Sequence, residues 1–172
     1  MTIRRLSPND AEAYRTLRLL GLRESPGAFG RSHREESPWP LSVFEERLSA
    51  DGAAASFGAV EGDRLVGIVT LLRSVGLKER HKAAIVGLYV HPDFRRRGVA
   101  GRLLVRVLRH ASTLPGLRQL RVAVVEGNGP ALALYQASGF SPYGREPQAL
   151  CEGRRYLDEF LLARAVPRRT GG

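Results

Sequence analysis

The chain has 172 residues, of which 43% are apolar and 26% charged, with a formal net charge of +10. That length suits one domain with a single sizeable core, and the balance is that of a globular protein. No apolar run approaches the roughly 20 residues of a membrane-spanning helix, and residues 1–10 lack the apolar stretch of a secretory signal, which leaves a cytoplasmic protein with no membrane partner as the expectation.

Thr2 to Leu6 reads as a short strand closed by Ser7-Pro8. Asn9 or Asp10 can cap a helix running to about Leu22, with Ala13, Leu17 and Leu20 in its apolar stripe. Residues 23–40 hold two Ser-Pro pairs, Gly27 and Gly30, and read as a loop with one helical turn around Phe29. A second helix is expected over Leu41–Ala50, stopped by Asp51-Gly52. Ala54–Val60, the turn Glu61-Gly62-Asp63 and Leu65–Arg73 form a hairpin pattern, and Ala83–Val90 is a third strand ended by His91-Pro92-Asp93.

The periodicity then changes. Val99, Leu103, Leu104, Val107, Leu108 and Ala111 fall at helical spacing, up to Leu114-Pro115-Gly116. Leu117–Val125 returns to a strand, Pro130–Ser138 is a short helix ended by Gly139, and strands follow from Phe140 and over Arg155–Ala165. The order β-α-α-β-β-β-α-β-α-β-β predicts a mixed α/β sheet, with one domain over 1–166 and a basic, disordered tail over 167–172.

Cys151 is alone, which rules out an internal disulfide, and no base is marked beside it for nucleophilic acyl transfer. His33, His81, His91 and His110 are scattered without paired spacing, so no metal site is expected. The positive charge favours an anionic partner: nucleic acid, an acidic membrane face or a polyphosphate. Basic residues interleaved with aromatics, or a helix-turn-helix, would favour nucleic acid, and neither is present, so nucleic acid is disfavoured.

The informative stretch is Leu88 to Gly101, a strand, a polar turn and then Arg95-Arg96-Arg97-Gly98-Val99-Ala100-Gly101 opening a helix. A helix start offers free backbone N–H groups and the positive end of its dipole, and small residues let an anion approach closely. With three arginines this suits a pyrophosphate, although a solvated basic turn has the same composition. There is no Gly-x-x-x-x-Gly-Lys-Ser/Thr loop. Gly127-Asn128-Gly129 follows a strand, but Leu132 breaks the dinucleotide-binding fingerprint.

Arg95-x-x-Gly98-x-Ala100 resembles the Arg/Gln-x-x-Gly-x-Gly/Ala signature of the GNAT acetyltransferases. Asn128-x-x-Ala131-x-x-Leu134-Tyr135-x-x-x-Gly139-Phe140 resembles that family's second signature, and Ser25-Pro26-Gly27-Ala28-Phe29-Gly30 looks like a segment of one branch. The resemblance implies a splayed sheet in which strands 83–90 and 117–125 part at their C-terminal ends. It also implies acetyl-CoA as co-substrate. Leu88, Tyr89 and Val90 would pair with the pantetheine arm, Arg95, Arg96, Arg97, Gly98, Val99, Ala100 and Gly101 would surround the pyrophosphate, and Asn128 and Tyr135 would lie near the thioester. The implied activity is transfer of acetyl to a primary amine of unspecified identity, with Tyr135 as the acid toward sulfur. A homodimer is an option among relatives that no feature of this sequence shows.

A lysine amine, with a pKa of about 10.4, is neutral in only about one molecule in 2,500 at pH 7, so a base or a pKa-depressing site is needed. Ala83–Val90 contains no carboxylate, where some members of the family carry a Glu. Glu126, Glu146, Asp158, Glu159 and His91 are the remaining candidates, and of Asp158 and Glu159 only one can face the cleft, because strand side chains alternate. The fold alone does not impose activity, and a non-catalytic acyl-CoA-binding module is the alternative reading.

Overall fold

The computed structural model of the chain describes residues 1–49 and 53–167. In chain order the elements are β1 (Thr2–Arg5), α1 (Ala11–Glu24), α2 (His33–Glu36), α3 (Leu41–Arg47), β2 (Ala54–Glu61), β3 (Arg64–Arg73), β4 (Lys82–Val90), α4 (Val99–Ala111), β5 (Gln119–Val125), α5 (Gly129–Ala137), β6 (Ser141–Glu152) and β7 (Arg155–Ala165). The strands form one seven-stranded sheet in the order β1-β2-β3-β4-β5-β7-β6. Every junction is antiparallel except β4 with β5. This is the mixed α/β sheet that the element order predicts, mostly antiparallel as the family resemblance implies. Among the described residues no helix is long and apolar enough to cross a membrane.

Helices cover both faces of the sheet. On one face α4 presents Val99, Leu103, Leu104, Val107 and Ala111, all buried, to a cluster that includes Phe57, Val69, Leu71 and Leu120. The approach is close: a Cβ at Gly67 of β3 would meet Leu103 at 2.9 Å and Val99 at 3.2 Å. On the other face Tyr14, Leu17 and Leu22 of α1 join Phe29, Phe44 of α3, Ile68 and Tyr89. Burial of each large apolar side chain contributes about 1.5–3 kcal/mol, so these two clusters fix both helix layers against the sheet.

Two boundaries differ from those expected. α1 is preceded by a 3-10 turn over Pro8–Asp10, and Asp10 does not cap α1 with its side chain. Its carboxylate instead accepts from the Ser7 N–H at 2.8 Å and pairs with Arg4 at 2.6 Å, a stronger charge-assisted pairing. α3 stops at Arg47 rather than Ala50, because the Leu48 N–H turns to the carbonyls of both Phe44 and Glu45. Ala50 and the Asp51-Gly52 stop lie outside the described residues, as do residues 168–172 of the expected tail.

The loop over 23–40 holds more structure than expected. A 3-10 turn spans Pro26–Ala28, and α2 follows. Ser32 caps α2, its Oγ accepting from the Glu35 N–H while the Glu35 carboxylate accepts from the Ser32 N–H at 2.7 Å. The box S-x-x-E was available in the sequence, but a single turn leaves no periodicity to mark it.

Candidate active site

β4 and β5 are hydrogen-bonded only at their starts, where Lys82, Ala83 and Ala84 pair with Gln119, Leu120 and Arg121. Beyond that point β4 runs on to Val90 and β5 to Val125 without pairing to each other, so the two strands diverge. A cleft of about 640 Å³ opens there, lined on one side by Ile85, Val86, Gly87 and Leu88 and on the other by Val122 to Val125. Its floor includes Asn128, Ala131 and Tyr135. The volume is that of a small-molecule site.

A bulge shapes the β4 wall. Tyr89 pairs with Ile68 and Val86 with Thr70, so Gly87 and Leu88 together oppose the single residue Val69. Gly87 has φ +63°, a conformation that glycine adopts without a Cβ penalty. A glycine inside a strand pattern is itself a bulge signal, and the sequence carried it.

The predicted cofactor residues divide by what their side chains do. Leu88 lines the cleft, whereas Tyr89 and Val90 are buried away from it. The Tyr89 phenol donates to Glu24 at the end of α1, and burial, together with that carboxylate, pushes its pKa up to about 12. Arg95 is committed as well: its Nε donates to the Val90 carbonyl at 3.0 Å and its Nη2 pairs with Glu24 at 2.7 Å. Its guanidinium therefore ties the loop to α1.

Arg96, Arg97 and Gly98 are exposed. Arg96 adopts φ +58°, unusual for a side-chain-bearing residue, and Gly98 adopts φ +72° at the N-cap of α4. A Cβ at Gly98 or at Gly101 would meet nothing within 4 Å. The first-turn amides of Val99, Ala100 and Gly101 therefore lie at an open helix start, with basic side chains beside it, and these features fit a diphosphate.

Asn128 caps α5, its Oδ1 accepting from the Ala131 N–H at 3.2 Å, and also borders the cleft. Tyr135 is 5% exposed and packs edge-on against Phe140 at 5.5 Å. Burial raises its pKa well above the ordinary phenol value. It stays protonated through the neutral range, as a proton donor must.

Of the candidate bases, Glu159 alone lines the cleft. Burial first, and then the neighbouring Glu146 across the β6–β7 ladder, raise its pKa. Asp158 points elsewhere and pairs with Arg145 at 2.6 Å, and Glu126 pairs with the same guanidinium at 2.8 Å. His91 lies outside the cleft, with its ring nitrogens near Arg64 and Asp93.

The sequence reading missed the far wall of the cleft. Arg18 of α1, Arg31 and Arg47 of α3 line it beside Phe29 and Tyr14. Glu36 is completely buried beneath, held by Arg18 in a two-point fork at 2.6 Å on each oxygen and by Arg47 at 3.3 Å. Burial pushes the Glu36 carboxyl up, but the two guanidiniums outweigh it and hold the pKa below the usual range.

A mixed sheet with one parallel junction that opens into a cleft, next to a glycine-bearing helix start, is an architecture that suits a phosphate-bearing small molecule. A profile of the acetyltransferase (GNAT) family matches residues 20–140, and the chain belongs to that family. It is 30% identical over 118 residues to the mycothiol acetyltransferase of Segniliparus rotundus, covering 66% of this chain and 44% of that one. It is 36% identical over 87 residues to YwnH of Bacillus subtilis, covering 50% of this chain and 52% of that one. The chain thus spans about half the length of these curated relatives. Among solved structures, ribosomal-protein-alanine N-acetyltransferase from Brucella melitensis superposes with a TM-score of 0.82 at 20% identity, covering 96% of this chain and 99% of that one. A GNAT-family acetyltransferase from Streptococcus pneumoniae gives 0.80 at 20% identity over the same shares. At that identity the likeness shows the fold.

Proposed function

We propose that the protein is an acetyl-CoA-dependent N-acetyltransferase acting on a primary amine by direct attack on the thioester. The observation that carries this reading is the parting of β4 from β5 beyond Ala84, with Tyr135 and Glu159 both bordering the gap. The names of two relatives, mycothiol acetyltransferase and ribosomal-protein-alanine N-acetyltransferase, support acetyl transfer.

Acetyl-CoA supplies the activated acetyl group as co-substrate. The open amides of Val99, Ala100 and Gly101, with Arg96 and Arg97, hold its diphosphate, and the backbone of Gly87 and Leu88 receives the pantetheine arm as an added strand would be received. Glu159, its pKa raised, takes the proton of the incoming ammonium directly or through water. Tyr135 gives a proton to the departing sulfur.

The test is calorimetric titration with acetyl-CoA, followed by thiol release with a panel of amines. Binding together with amine-dependent thiol release is the expected result. Tight binding with no turnover on any amine would favour an acyl-CoA-binding module, and no binding would remove the reading altogether.

A further inference from the structure

The cleft has a charge pattern that the proposed chemistry does not require. Its charged lining residues are Arg18, Arg31, Arg47 and Glu159, three cations against one carboxylate. Glu36 lies behind the wall and serves two of the arginines at once, so one negative charge answers two positive ones. Arg31 has its nearest carboxylate, Glu35, at 3.8 Å, in a pair that is half exposed on both sides. Such exposed pairs are weak. The wall keeps a net positive charge toward the cleft.

The guanidiniums are also held in place. Arg31 and Arg47 both sit over the Trp39 ring, at 5.3 and 4.8 Å from its centroid, and Arg18 sits over Phe29 at 5.5 Å. The fork on Glu36 uses Nε and Nη2 of Arg18. Its remaining nitrogen, Nη1, reaches the β4 bulge, where a Cβ on Gly87 would meet it at 3.2 Å. Gly87 lies three residues past the last residue that pairs β4 to β5. A positioned donor therefore stands at the mouth of the splay, and fixed guanidiniums of this kind recognise planar carboxylates.

Each class of acceptor meets this wall differently. A polyamine or a lysine-rich peptide brings cations to three arginines and is repelled. A neutral amine leaves the wall unanswered. An amine with a carboxylate a few bonds away satisfies both ends, its anion toward the arginines and its ammonium toward Glu159.

We propose that the acceptor is a small amino acid-type amine, its carboxylate held by Arg18, Arg31 and Arg47 while its amine faces Glu159. This rests on the acetyltransferase reading above and narrows its substrate class. The test compares the common L-amino acids with their primary amides, and with spermidine, in the thiol-release assay. The amide's amine is less basic and more often neutral, so a preference for the acid cannot arise from amine ionisation.

The expected result is at least a tenfold higher kcat/KM for the best acid than for its amide, with spermidine poorer still. An Arg31→Gln/Arg47→Gln double substitution, at partly exposed side chains, lowers that acid-to-amide ratio at least tenfold, and Arg47→Lys retains part of it. The proposal is overturned if amides or spermidine are used as well as the acids, if no amino acid is turned over, or if the double variant leaves the ratio unmoved. Acetyl-CoA uptake is measured separately by calorimetry, so failure of the acceptor assignment is distinguishable from failure of the acetyltransferase reading.

Discussion

Tyr135 and Glu159 reach the same cleft from α5 and β7, and their environments push both pKa values upward for a shared reason, burial. The consequences are opposite. A raised phenol pKa keeps Tyr135 a donor, and a raised carboxyl pKa makes Glu159 a stronger base once ionised. Replacing the Tyr135 hydroxyl by hydrogen, as Tyr135→Phe, is expected to lower kcat by about 10²–10⁴ while acetyl-CoA affinity stays within a few-fold. Near-normal turnover would reject the acid role.

For Glu159 the pH profile is the diagnostic readout. A base must be ionised, so kcat/KM rises with pH through the Glu159 pKa, and that limb is expected above the ordinary value of 4.5. Glu159→Gln should lower kcat/KM by about 10²–10⁴ and remove the limb. Persistence of the limb in that variant would move the base elsewhere.

Among the elements, α4 does two jobs. Its buried face, Val99 to Ala111, fixes it on β3, and in the proposed function its open N-terminus receives the diphosphate. Gly98 makes both compatible, because φ +72° lets the chain enter the helix without a side chain over the first-turn amides. Gly98→Val fills that space and adds backbone strain of about 1–3 kcal/mol. The expected readout is a rise of at least tenfold in the acetyl-CoA Kd, measured by calorimetry; an unchanged Kd would place the diphosphate elsewhere.

Beyond its Ser32 cap, α2 is anchored by one buried residue. Four residues are too few for a helix to persist on propensity, and the buried Glu36 anchors this one to Arg18 and Arg47. Glu36→Ala leaves two guanidiniums without their shared partner, one of them largely buried, and should cost about 3–5 kcal/mol of stability by denaturant unfolding. A loss below about 1 kcal/mol would mean the guanidiniums are satisfied by solvent.

Across the whole molecule, several carboxylates titrate below their ordinary range. Hydrogen bonding and pairing with Arg4 hold Asp10 at about 2, against 3.8 unperturbed, and Glu24, Glu36 and Glu61 are also depressed. A depressed folded-state pKa means that the unfolded chain binds more protons as the solution is acidified. The stabilisation is therefore fully present only above the unfolded values of 3.8 and 4.5, and is lost as pH falls toward about 2. The thermal midpoint is expected to fall between pH 5 and pH 2.5, and Asp10→Asn should flatten part of the decline; a flat midpoint over that range would contradict the pairings. The formal charge of +10 adds self-repulsion at low pH and attraction for a polyanionic co-substrate at neutral pH.

The amino-acid sequence by itself determined the strands, the long helices and the glycine-bearing start of α4. These depend on residues within a turn or two of one another, where alternation, helical spacing and capping act directly. Only the tertiary structure decided that Glu159 rather than Asp158 faces the cleft, since strand register assigns a whole face and a one-residue slip reverses it. It also decided that Arg95 turns to Glu24, and that Arg18, Glu36, Arg47 and Gly87 meet around one cavity. Those residues come from separate elements, and no local preference encodes a gap between two strands that stop pairing.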